Sequence, residues 1–173
     1  RAMGLDGEVF ARAAEVRDVL PGQVAYVHAA TWSDACIEAH SATAEGGAAQ
    51  LATLDAAANA VVARHAEALV TAPASKHAIT LSGTSFMGQT EHLARLSMLR
   101  DDDVSMLFLG PKLRVGLVTT HLSVRDAAAA VTEGRVMRTA RHLAAAVRAL
   151  EPGNRPLKLA ISGVNPHAGE AGM

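Results

Sequence analysis

The chain has 173 residues, half of them apolar, and a formal net charge of −1. That suits one ordinary domain with a real core, and the lack of a basic stripe argues against a nucleic-acid partner. No apolar run approaches ~18 residues, so no membrane span is expected, and a lone cysteine, Cys36, excludes an internal disulfide.

Through Leu20 the sequence is mixed and poorly periodic. "GQVAYVHA" (22–29) predicts a short strand. Cys36, in "DACIEAH", reads as a small core residue, because nothing beside it would activate a thiol. "GGAAQLATLDAAANAVVARH" (46–65) predicts a helix, with Leu51, Leu54, Ala58, Val61 and Val62 at helical spacing in an alanine-rich background. "EALVTAP" (67–73) is a short apolar run stopped by Pro73, which predicts a buried strand. "LSGTSFMGQ" (81–89) predicts a loop, and "TEHLARLSML" (90–99) a helix with Thr90 able to cap it and Glu91 in its first turn. Asp101, Asp102 and Asp103 read as a solvated turn.

"VSMLFLG" (104–110) and "LRVGLVTT" (113–120) are two strands joined by "GPK", which predicts an antiparallel hairpin. "HLSVRDAAAAV" opens a helical stretch with Ser123 as candidate N-cap, and "TEGRVMRTARHLAAAVRAL" (132–150) predicts an amphipathic helix broken by "EPGNRP". "LKLAISG" (157–163) predicts a closing buried strand. Short strands alternating with helices point to an α/β layered sheet, mostly parallel, with one antiparallel hairpin, and residues 1–173 read as one α/β unit.

In such sheets ligands bind beyond the carboxyl ends of strands. The strand at 67–71 delivers "TAPASKH", the strand at 113–120 delivers His121, and the strand at 157–163 delivers His167 in "GVNPHAGE". Imidazole is the commonest ligand for zinc and related divalent ions, so His121 and His167 are candidate metal ligands. The plainer reading of each, a surface loop histidine, stays open because the pair carries no local spacing signature. Lys76 is a candidate for holding an anionic group or relaying a proton, against a plain exposed lysine. His77 and His92 stand close enough to these loops to keep in view, whereas His65 and His142 read as helix-surface residues. "SGTSFMGQTE" offers hydroxyls and backbone N–H groups ahead of a helix, a natural anion pocket, but it is neither GxGxxG nor a Walker A loop.

Taken in order, "ALVTAPASKHAI", "GTSFMGQTEHLA", "LRVGLVTTHLSVRDAA" and "ISGVNPHAGEAG" resemble the successive signatures of the 4-hydroxythreonine-4-phosphate dehydrogenase family of vitamin B6 biosynthesis, over roughly residues 46–173. The resemblance implies a layered α/β/α fold like that of isocitrate and isopropylmalate dehydrogenases, with two domains. It also implies a homodimer whose active site is shared between subunits, NAD or NADP as cofactor, and a divalent metal (Zn, Mg or Co) held by three histidines; a cytoplasmic setting is expected separately, from the sparse cysteine and the lack of an evident targeting signal. Two of these histidines match His121 and His167. The third belongs to an "HDQG"-like segment that this sequence lacks and that the partner subunit supplies. The chain is therefore expected to be the central portion of a longer protein. One departure stands out. The family's "GHTE", whose His and Thr contact substrate, is here Gly88, Gln89, Thr90, Glu91. Thr90 carries over, but Gln89 cannot become cationic and would hold a phosphate less strongly.

The expected activity is metal-dependent, NAD-linked oxidation of a secondary alcohol, 4-hydroxythreonine-4-phosphate or a relative, with possible decarboxylation of the keto acid. His121 and His167 are expected as ligands, Gln89 and Thr90 as substrate contacts, Lys76 as a polar contact or proton relay, and Asn165 and Glu170 as groups that orient the ligand loop. Related substrates are sugar-acid phosphates and aromatic cis-dihydrodiols. The rivals are a phosphotransacetylase-like acyltransferase and a non-catalytic binding protein.

Overall fold

The computed structural model describes residues 10–13, 16–20, 24–100, 103–151, 153 and 156–165. The fold is mixed α/β, and the chain divides into two compact units, 1–101 and 102–173.

In the first unit, β1 (Phe10–Ala13) pairs parallel with β2 (Val24–Val27), placing Phe10 opposite Val24 and Ala13 opposite Val27. The short helix α1 (Asp34–Glu38) starts at Ser33, whose N–H and hydroxyl both donate to the Glu45 carboxylate, at 2.6 and 2.8 Å. Glu45 lies in the first turn of α2 (Ala44–Val62), where a carboxylate also suits the helix dipole. Thr43 caps α2 by accepting from the Gly46 N–H at 3.0 Å. Next comes α3 (Lys76–Leu81), capped by Ser75, and then α4 (Gln89–Leu96). The core is Leu54 of α2, Ile79 of α3 and Phe86 of the loop ahead of α4, with Leu51, Leu69, Ala74 and Leu93 packed around it. Gly47 makes this packing possible. A Cβ there would sit 1.9 Å from the Ala78 carbonyl oxygen, so only glycine lets α2 approach α3 so closely.

In the second unit, β3 (Met106–Leu109) and β4 (Arg114–Leu117) form the expected antiparallel hairpin, Leu109 opposite Arg114. The Gly110 N–H closes the turn on the Leu113 carbonyl at 3.0 Å. Helix α5 (Val124–Ala130) starts at Ser123, as its sequence predicts, and α6 (Glu133–Leu150) starts at Thr132. The α6 helix crosses β4 at Gly116, where a Cβ would lie 2.8 Å from Thr139 Cγ2. Arg114 and Glu151 form an ion pair that ties β4 to the end of α6.

Several expectations need correction. Residues 67–73 and 157–163 are not strands among the described residues. A short apolar run cannot by itself distinguish a paired strand from an extended segment, and the Ala72 carbonyl is taken by a side chain, Gln89, rather than by a neighbouring strand. The described sheets are accordingly two pairs, one parallel and one antiparallel, in place of a mostly parallel sheet. Lys76 opens a helix instead of sitting in a loop, because the Ser75 hydroxyl accepts from the Ala78 N–H at 3.2 Å. Helix α4 begins one residue earlier than predicted, with Gly88 in place of Thr90 at its N-cap. His65 lies beyond the end of α2. Among the described residues, no helix is long and apolar enough to cross a membrane.

Candidate functional site

In the first unit the candidate residues gather around the extended segment 69–74 and the start of α4. Thr71 Oγ1 donates to Gln89 Oε1 at 3.0 Å, and Gln89 Nε2 donates to the Ala72 carbonyl at 2.9 Å. Gln89, the first residue of α4, thus grips the segment with both ends of its amide. Further along, the Ser75 N–H donates to Gln50 Oε1 of α2 at 2.8 Å. These bonds fix the approach to Lys76, which stands exposed at the first position of α3 with His77 beside it. Thr90 is exposed in the first turn of α4. Gly88 supplies no side-chain cap, and the Glu91 carboxylate folds back over it, 2.6 Å from where a Cβ would be.

Beside the segment lies a cleft of about 380 Å³, lined by Trp32, Ile37, Leu54, Leu69, Val70 and Gln89 among others. Cys36 also lines it, with Sγ 3.1 Å from Thr43 Oγ1, so the thiol is half-buried rather than in the core. One turn along α4, His92 Nε2 lies 2.5 Å from Asp55 Oδ1 of α2, and its ring packs on Phe86 at 5.5 Å. Asp55 carries no signal of its own in the sequence. It lies 37 residues from His92, and no local pattern links them.

In the second unit His121 follows β4 and precedes α5. Its backbone is left-handed (φ 56°), and its exposed imidazole makes no hydrogen bond among the described residues. The other described non-glycine residues with positive φ are His40, Arg64 and Met98, each just past the end of a helix, where a left-handed residue is an ordinary terminator. His121 ends no helix. A left-handed histidine costs energy that the local chain does not require, a pattern that concentrates at functional sites. His142, by contrast, is satisfied by Ser105 Oγ at 2.9 Å. His167 and Glu170 lie outside the described residues, and Asn165 is exposed. Among the described residues no group of three or more His, Cys, Asp or Glu is close enough to hold a metal.

The profile of the family described as "Pyridoxal phosphate biosynthetic protein PdxA" matches residues 6–173. The chain belongs to this family. Among PdxA relatives, the 4-hydroxythreonine-4-phosphate dehydrogenase of Acidithiobacillus ferrooxidans is 44% identical over 122 residues, covering 70% of this chain and 36% of its own. The enzyme of that name from Marinobacter nauticus is 35% identical over 164 residues, covering 91% of this chain and 48% of its own. A crystal structure of a 4-hydroxythreonine-4-phosphate dehydrogenase from Burkholderia phymatum matches 94% of this chain at a TM-score of 0.71 and 30% identity, and this chain covers 48% of it. The PdxA chain here thus spans between a third and a half of these relatives' length.

Proposed function

We propose that this chain carries part of the active site of a metal-dependent dehydrogenase that oxidises a secondary alcohol with NAD or NADP, 4-hydroxythreonine-4-phosphate being the first substrate to test. The observation that carries the reading is His121. It is an exposed imidazole on a left-handed backbone in the loop after β4, without a hydrogen-bond partner among the described residues, in a chain of the PdxA family. Those properties fit a metal ligand, since a neutral imidazole offers one nitrogen lone pair and needs no competing bond. His167 would be the second ligand, and a histidine from a partner subunit of a homodimer the third. When bound, such an ion would supply Lewis acidity for the substrate hydroxyl and a nicotinamide would supply a hydride acceptor.

The chain's own residues have the remaining tasks. Thr90 presents a hydroxyl to the substrate's far end from the first turn of α4. Gln89 keeps one N–H and a lone pair after gripping segment 71–72, enough for a neutral contact. Lys76 offers an ammonium that can hold an anionic group or move a proton. Asn165 and Glu170 would help to orient His167. The single cysteine suits a cytoplasmic setting.

A second reading, a substrate without phosphate such as a cis-dihydrodiol, is favoured by the start of α4. Gln89 cannot become cationic, its amide is already engaged, and the Glu91 carboxylate lies over Gly88 where an anion would approach. The test is nicotinamide reduction in metal-replete enzyme with hydroxythreonine phosphate, erythronate and threonate phosphates, and a cis-dihydrodiol. NADH or NADPH formation with one of them, lost on chelation, is the expected result. No reduction with any of them overturns the dehydrogenase reading. Nicotinamide reduction that survives chelation keeps the dehydrogenase and removes the metal from the reading.

A further inference from the structure

We propose that Asp55 and His92 form the positioning element for the first turn of α4, and through it for Gln89 and Thr90. The proposal rests on the reading of that turn as a substrate contact. The turn has little order of its own. An isolated helix of eight residues is marginal in water, and Gly88 gives α4 no side-chain cap. Its order must come from tertiary fastenings, and two are present. Gln89 holds segment 71–72 at one end. One turn on, His92 lies on the same side of the helix and holds α2.

The second fastening is the more buried. The His92 side chain is only 15% exposed, and its Nε2 meets Asp55 Oδ1 at 2.5 Å. The ring packs at a tilt against Phe86, itself 4% exposed and packed with Leu54 and Ile79. Leu54 immediately precedes Asp55 on α2, so the carboxylate that grips His92 is anchored by the core residue next to it. Neither Asp55 nor His92 lines the cleft beside Gln89. They act through the helix rather than on a ligand.

The experiment uses His92→Leu, which keeps bulk against Phe86 but removes the polar contact, and His92→Gln, whose amide can still donate to Asp55. Both are assayed in the enzyme with metal and nicotinamide present. For His92→Leu we expect the alcohol KM to rise on the order of ten- to a hundredfold, with nicotinamide KM and metal content unchanged. His92→Gln should recover most of the loss. In the same variants, amide exchange at Leu93 and Ala94, whose N–H groups bond back to the first turn, should quicken in His92→Leu and return towards wild type in His92→Gln. Asp55→Ala, which removes the acceptor altogether, should reproduce the His92→Leu readings, and it carries the test should His92→Leu fold poorly. Unchanged exchange overturns the positioning role alone. Faster exchange with an unchanged alcohol KM shows that the turn does not contact substrate, and removes both this proposal and that part of the functional reading.

Discussion

Replacing Gly47 by alanine tests how α2 places the Lys76 helix. The added Cβ would fall 1.9 Å from the Ala78 oxygen, 2.2 Å from its carbonyl carbon and 2.7 Å from the Ile79 nitrogen. All three are backbone atoms, so no side chain can swing aside, and α3 must retreat by about 1.5 Å to restore ordinary contact. The contact is also the tightest part of the core, with Ile79 at 0% exposure. Overpacking of this kind costs roughly 1–3 kcal/mol, and the upper end applies where backbone must move. Alanine's better helix propensity offsets at most about 1 kcal/mol. The expected net loss is about 2 kcal/mol, or a fall of roughly 4–8 °C in Tm for a chain of this size. The retreat also pulls Ser75 from Gln50, now 2.8 Å apart, so the alcohol KM should rise as well. Gly134→Ala is the control. It lies in the first turn of α6 with nothing within 4 Å of its Cβ, and should be neutral or stabilising by about 0.5 kcal/mol. If Gly47→Ala unfolds at or above the wild-type temperature while Gly134→Ala behaves as expected, the close-approach argument is wrong.

Other perturbations give equally specific expectations. Ile79→Ala should cost about 2–5 kcal/mol by denaturant titration, because the side chain is fully buried between α2 and the Phe86 loop. His121→Gly should remove the left-handed strain, raising stability by up to about 1 kcal/mol in a thermal melt while abolishing dehydrogenase activity. Gln89→Ala should cost about 1–2 kcal/mol through its two lost hydrogen bonds. Gln89→His should tighten inorganic phosphate binding, read by calorimetry, if a cationic ring can form there.

Much of the second unit was legible in its sequence, because its signals are local. "GPK" gave the hairpin its turn, and Ser123 marked the start of α5. The first unit was harder to read. Segment 67–73 has the composition of a strand, yet Val70 is 95% exposed and the backbone is gripped by Gln89 instead of by a neighbouring strand. Composition records that a run is apolar, not what it pairs with. The capping by Ser75 that turns Lys76 into a helix residue is readable in hindsight, since serine is a favoured N-cap residue. The tie between Asp55 and His92 was not readable, because it depends on how α2 and α4 cross. His121 was singled out for its place after a strand; the left-handed backbone that sharpens its candidacy exists only in three dimensions.

The most direct measurement is the divalent metal content of the purified enzyme, compared with His121→Ala and His167→Ala after identical metal loading. One ion bound per site in the wild type, and its loss in both variants together with nicotinamide-linked activity, is the predicted result. Equal metal retention in all three proteins, or full activity in a metal-free preparation, would contradict the shared-ion account.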